Sequence, residues 1–241
     1  VAAIDRARHQ VEQTVSAALR DELLQVRDNH HPDESYAFEP RQMAARSLSN
    51  SALALLTRIG DEQGCSQAVT QFDQATNMTD RLAALKALVD SPFSEEREDV
   101  LARFYEHWQH DPQVVEQWFA AQSSSPWIGD VTRVTQLLGH PAFDWKNPNK
   151  VRMVVGVFAG RNLTHFHSPD GSGHRFLGDQ IQRLDASNPQ IAAALAQPLT
   201  RWRRYAPVLR ESMKSVLQEL MAQPSLSKDL FEVVSKSLNE D

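Results

Sequence analysis

The chain has 241 residues, 41% of them hydrophobic and 23% charged, with a net charge of -6 and an isoelectric point near 5.8. That composition excludes a disordered or collagen-like chain, and its acidic balance gives no reason to expect nucleic acid or an anionic membrane surface as partner. No apolar run approaches the roughly 20 residues of a spanning helix, so no membrane segment is expected.

Residues 1–29 carry charges throughout and do not resemble a signal peptide. The first residue is Val1 rather than methionine, which points to a processed product or a piece of a longer polypeptide. The polar stretch NHHPDESYAFEP, Asn29 to Pro40, is expected to be a solvated loop, with His30 and His31 beside Asp33 and Glu34. A helix resumes at once with RQMAARSLSNSALALL and should end near Gly60, where a glycine suits a C-terminal cap. Cys65 follows in an acidic flank, DEQGCSQ, which does not favour a thiolate, so it reads as a structural thiol. A lone cysteine forms no intrachain disulfide, which suits a reducing compartment and a cytoplasmic location.

Farther along, Ser94 precedes Glu95, Glu96, Glu98 and Asp99, a carboxylate run suited to a helix N-terminus. His107 and His110 share a helix face near Glu106, but the H-E-x-x-H of a zinc peptidase helix occurs nowhere. Two ligands without a visible third make a poor metal site, and a surface or packing role is expected. Asp111-Pro112, Asn147-Pro148 and Asn188-Pro189 each pair an N-cap residue with a proline suited to the first helical turn. Gly139 and Gly160 fall where periodic segments end. Val151, Val154, Val155 and Phe158 form one apolar stripe, and Leu209, Met213, Val216, Leu217 and Leu220 form another.

FHSPDGSGHRFL, residues 166 to 177, holds two histidines, an aspartate and two glycines. It lacks the lysine of a phosphate-binding loop and lies between two helical patterns, so it reads as a helix-to-helix joint. Phe176, Leu177, Ile181 and Leu184 then begin a new buried face. RWRRY, from Arg201 to Tyr205, is the one basic and aromatic cluster, and arginine stems packing on Trp202 and Tyr205, or pairing with neighbouring carboxylates, explain it better than nucleic acid does.

The Asx-Pro starts are spaced 36 and then 41 residues apart, room for two helices and their turns each time. The chain is therefore expected to be all-α, a superhelical, α-solenoid-like array of helical hairpins with about ten to twelve helices in one domain, 1–241.

The run NPNKVRMVVGVFAGRNLTHFHSPDGSGHRFL, with NMTDRLAAL, VVEQWFAAQSSSP, SNPQIA and PLTRWRRY, resembles the C-terminal domain of the bacterial aminopeptidase N family. The likeness covers nearly the whole chain. It implies an all-helical domain that caps a thermolysin-like catalytic domain of the same polypeptide, encloses the active-site cavity and limits access to peptide substrates. The H-E-x-x-H and G-x-M-E-N segments of that family do not occur here, so the resemblance implies no catalysis by this chain alone, no cofactor within it, and one zinc in the catalytic domain. It also places Gln190, the glutamine of NPQ, near the pocket for the substrate's first side chain. Arg152, in NPNKVR, is placed toward the peptide's C-terminal side, where arginine suits a carboxylate. An arginine that some members carry four residues after the glutamine is Ala194 here. The alternative is a stand-alone helical scaffold for protein partners. A scaffold should begin and end in polar capping helices, whereas a severed cap should expose an apolar docking face. A third reading, a metal enzyme using His107 and His110, requires stoichiometric zinc in the purified chain.

Overall fold

The structure, a computed structural model, describes residues 1–30 and 36–239. Among them there is no strand, and the helices divide into two compact units, residues 6–121 and residues 1–5 with 122–241. His31, Asp33 and Glu34 of the expected loop lie outside the described residues. His30 does not belong to that loop. It ends a helix whose buried residues are Leu24 and Arg27, with its Nδ1 3.0 Å from the Val26 carbonyl oxygen.

The helix α1 (Ala2–Ala18) begins in the second unit and runs into the first. It buries only Ser16 and leaves Ile4, Val11 and Val15 exposed. The first unit continues with α2 (Arg20–His30), α3 (Pro40–Arg58), α4 (Glu62–Gln74), α5 (Met78–Val89), α6 (Ser94–Trp108) and most of α7 (Pro112–Ser124). Neighbours in sequence pack as hairpins, α2 on α3 and α4 on α5, and α3 also lies along α5. Local chemistry sets the boundaries. Gly60 takes φ 76° after α3, a conformation that favours glycine. Asp61 then caps α4 through the Gly64 N–H at 2.7 Å, and Asn77 caps α5. Gly64 permits a close crossing, since a Cβ there would lie 2.6 Å from Leu56 Cβ.

The second unit holds α8 (Val131–Leu138), α9 (Pro148–Val151), a π-helical turn (Arg152–Gly156), α10 (Val157–Arg161), α11 (Leu163–Phe166), α12 (Ser172–Asp185), α13 (Pro189–Thr200), α14 (Pro207–Met221) and α15 (Lys228–Asn239). Packing pairs α12 with α13 and α14, and α15 with α13 and α14. Both predicted stripes are buried residue for residue, each large apolar side chain contributing roughly 1.5–3 kcal/mol. All three Asx-Pro pairs cap as expected, with Asp111, Asn147 and Asn188 accepting from N–H groups two or three residues on.

The helices number fourteen among the described residues, counting the continuous run Pro148–Arg161 once. The excess over ten to twelve comes from short pieces such as the four-residue α11, whose single turn is too brief to show a hydrophobic period. Gly160 does not end its helix. It lies inside α10 with open space around it, and the helix stops at Asn162.

Candidate functional site

The histidine-rich joint is built by the end of α11 and the start of α12. Asp170 Oδ1 accepts from both the backbone N–H and the hydroxyl of Ser172, which holds its carboxyl down to about 2. Gly171 has φ 72°, and its missing side chain leaves room for Ser212 of α14. At Gly173 a Cβ would fall 2.4 Å from the Phe166 carbonyl oxygen, so only glycine lets α12 start against the end of α11. Gly173→Ala should destabilise the unit by about 2 kcal/mol through this overpacking, measured as a lower urea midpoint; an unchanged midpoint would show that the joint can open.

Behind that turn, His167 and His174 are both buried, with His167 Nδ1 3.1 Å from His174 Nε2 and His174 Nδ1 2.9 Å from Ser212 Oγ. The Tyr205 ring lies 4.5 Å from that of His167. Burial is the main cause that pushes both imidazoles down to about 4, with neighbouring charge on His174 and on Arg175 adding to it. Neutral rings tied to each other and to a serine hold a fold together. The joint expected from the sequence is what the structure contains.

Gln190 is exposed at the start of α13 and lines a groove of about 620 Å³ between α13 and α15. The facing wall carries Asp229, Glu232, Val233 and Lys236 of α15, so the groove mixes apolar surface with both signs of charge. Arg152 is exposed on the first residue of the π turn, its Nη1 3.4 Å from Asn149 Oδ1. The turn packs beside α13, since a Cβ on Gly156 would lie 3.5 Å from Leu195 Cδ2. Both residues therefore sit on the surface of the same unit, free of strong partners that would claim their polar atoms. The wall from α15 was missed in the sequence, because no resemblance or motif marks KDLFEVVSK and only packing brings it to Gln190.

The remaining candidates resolve into packing. The His107 ring lies 4.9 Å from that of Trp108, and no group of three or more His, Cys, Asp or Glu side chains gathers a metal-binding geometry among the described residues. A zinc ion therefore does not fit the described residues of this chain. Burial pushes the Cys65 thiol up to about 11, the opposite of an activated nucleophile. The Arg203 guanidinium lies 4.1 Å from the Trp202 ring centre and donates to the Ser237 carbonyl, so the basic cluster serves packing as expected. No helix is long and apolar enough to cross a membrane among the described residues.

Comparison with known proteins covers almost all of the chain. Residues 1–239 match the family described as domain of unknown function DUF3458_C, ARM repeats. Aminopeptidase N of Haemophilus influenzae is 37% identical over 237 residues and that of Escherichia coli 36%, each alignment covering 98% of this chain and 27% of the relative. A crystal structure of Legionella pneumophila aminopeptidase A in complex with aspartic acid superposes with a TM-score of 0.87 at 28% identity, over 98% of this chain and 28% of that one. The chain thus spans little more than a quarter of the length of these relatives.

Proposed function

Because the chain belongs to the DUF3458_C ARM-repeat family and is a C-terminal domain of aminopeptidase N, we propose that it acts as the noncatalytic cap of a zinc metalloaminopeptidase. In this reading residues 1–241 work as one domain, docked on the catalytic domain of the same polypeptide in the cytoplasm. That partner supplies zinc, the general base and recognition of the free amino terminus. The cap encloses the cavity, excludes bulk solvent and folded proteins, and positions the peptide.

The observation that carries the proposal is the extent of the match: nearly all of this chain aligns with only the C-terminal part of longer peptidases. A second supports it over a stand-alone scaffold. The helix α1 is amphipathic and leaves Ile4, Val11 and Val15 exposed, an apolar face that docking on another domain would cover.

Within the cap, Gln190 contributes an amide to the wall near the substrate's first side chain, and Arg152 offers a guanidinium to the peptide's C-terminal carboxylate. Both side chains are exposed and available in the structure. In the assembled enzyme, Arg152→Ala should raise KM roughly tenfold for di- and tripeptides, the loss of one charge-assisted hydrogen bond, and leave KM for small aminoacyl chromogens unchanged. Equal effects on both substrate types would overturn the role of Arg152.

A further inference from the structure

In the first unit a buried cation has only neutral partners. Arg27, on α2, is 5% exposed. Its Nη1 donates to Ser49 Oγ at 2.8 Å and to Gln71 Oε1 at 2.7 Å, and its Nε donates to Gln67 Oε1 at 3.4 Å. Among the described residues no ion pair includes Arg27, and its Nη2 has no hydrogen-bond partner. Asp80 is reached only at one remove: Gln71 Nε2 donates to the Asp80 carbonyl and to Asn50 Oδ1, while Asn50 Nδ2 donates to the Asp80 carboxylate. Burial accordingly pulls the guanidinium's pKa down, against the opposing pull of Asp80 and Asp28.

An ion held this way carries a desolvation cost that amides offset only in part. It also faces an opening. Arg27 lines a groove of about 340 Å³ with Gln67, Gln74 and the hydroxyls of Ser66 and Thr70. Thr70 Oγ1 already donates to the Ser66 carbonyl, so the donors left are Ser66 Oγ, Gln74 Nε2 and Gln67 Nε2, whose own carbonyl oxygen is turned to Arg27. Ser66, Gln67 and Gln74 can therefore each present a proton to an anion beside Arg27. Asp28 borders the same groove, exposed, and opposes any charge beyond one.

We propose that this groove between α2 and α4 binds a small monoanionic carboxylate, one oxygen accepting from Arg27 Nη2 and the other from Gln67 Nε2. The single buried positive charge matches a monoanion, and Asp28 selects against a dianionic phosphate. The site stands independently of the role of the chain as a cap.

The test is an NMR titration of the 241-residue chain with sodium acetate, sodium chloride and inorganic phosphate at pH 7.5 and constant ionic strength. Saturable shifts of the Ser66, Gln67 and Thr70 amides are expected with millimolar acetate and not with chloride. Arg27→Gln should abolish them. Asp28→Asn, an exposed change that leaves the core intact, should tighten acetate several-fold by removing the opposing charge. Shifts equal in chloride, or unchanged in either variant, would mean an adventitious ion only. Saturation by phosphate without saturation by acetate would overturn the carboxylate assignment.

Discussion

Replacing Asn162 with alanine is expected to destabilise the second unit by about 3 kcal/mol. The residue is 1% exposed and sits where α10 stops. Its Nδ2 lies 3.1, 2.9 and 2.8 Å from the carbonyl oxygens of Ser123, Ser125 and Gly129, three acceptors sharing two protons. The same side chain caps α11 by accepting the His165 N–H at 3.2 Å. Removing it takes the side-chain donor from the Ser123 and Gly129 carbonyls and the cap from a helix N-terminus, while the Ser125 carbonyl keeps the Gly129 N–H at 2.9 Å; Ser123 and Ser125 are themselves fully buried, which keeps other donors out. Asn162→Asp should be worse still, since a carboxylate would face three carbonyl oxygens. Gly129 is part of the same device: a Cβ there would lie 2.5 Å from Asn162 Nδ2. Urea unfolding of the two variants checks this. A loss below about 1 kcal/mol for the alanine would show that water or a shifted loop replaces the amide.

Acid should unfold the same unit through His167 and His174. Their pKa values in the folded protein, about 4, lie below the ordinary 6.5, so the unfolded chain takes up protons first as pH falls. Stability is full above about pH 6.5 and drops between 6.5 and 4, by about 3 kcal/mol for each ring. Below 4 both rings are protonated in either state and the loss from them levels off. The carboxylate of Asp170, held at about 2, titrates in a lower window, between 3.8 and 2, which keeps the two contributions apart. The facing groups explain why the native rings resist protonation: Ser212 from α14, the Tyr205 and Phe166 rings, and the cationic Arg175 one residue on. Urea midpoints at pH 7.5 and 4.5 test this, with His174→Gln as the comparison. Glutamine can bond Ser212 without titrating and should remove about half of the acid sensitivity. An identical drop in the variant would assign it to other groups.

How far the sequence alone led depends on the range of the interactions concerned. The caps at Asn147 and Asn188 and the turn at Gly60 could each be read directly, because each is decided within four residues of chain, and the stripe of α14 could be read from its helical period. Gly160 misled, since a glycine says only what the backbone can adopt and the helix ran one residue past it to a better stop at Asn162. The π turn at Arg152 left no trace in the apolar period, because Val151, Val154, Val155 and Phe158 remain on the buried side with or without it.

The sites divide in the same way. Gln190 and Arg152 were singled out by the family resemblance alone, whereas the turn chemistry of DGSG was legible without its partners. Composition and periodicity by themselves determined that the chain is an all-helical protein of stacked hairpins, since helix formation and amphipathic burial are local properties. Only tertiary structure decided that His167 and His174 are neutral and joined, that three distant carbonyls converge on Asn162, and that Arg27 is buried without a counter-ion. Desolvation and hydrogen-bond satisfaction depend on what lies across the interface, and the residues that meet there are separated by up to 44 positions in the chain.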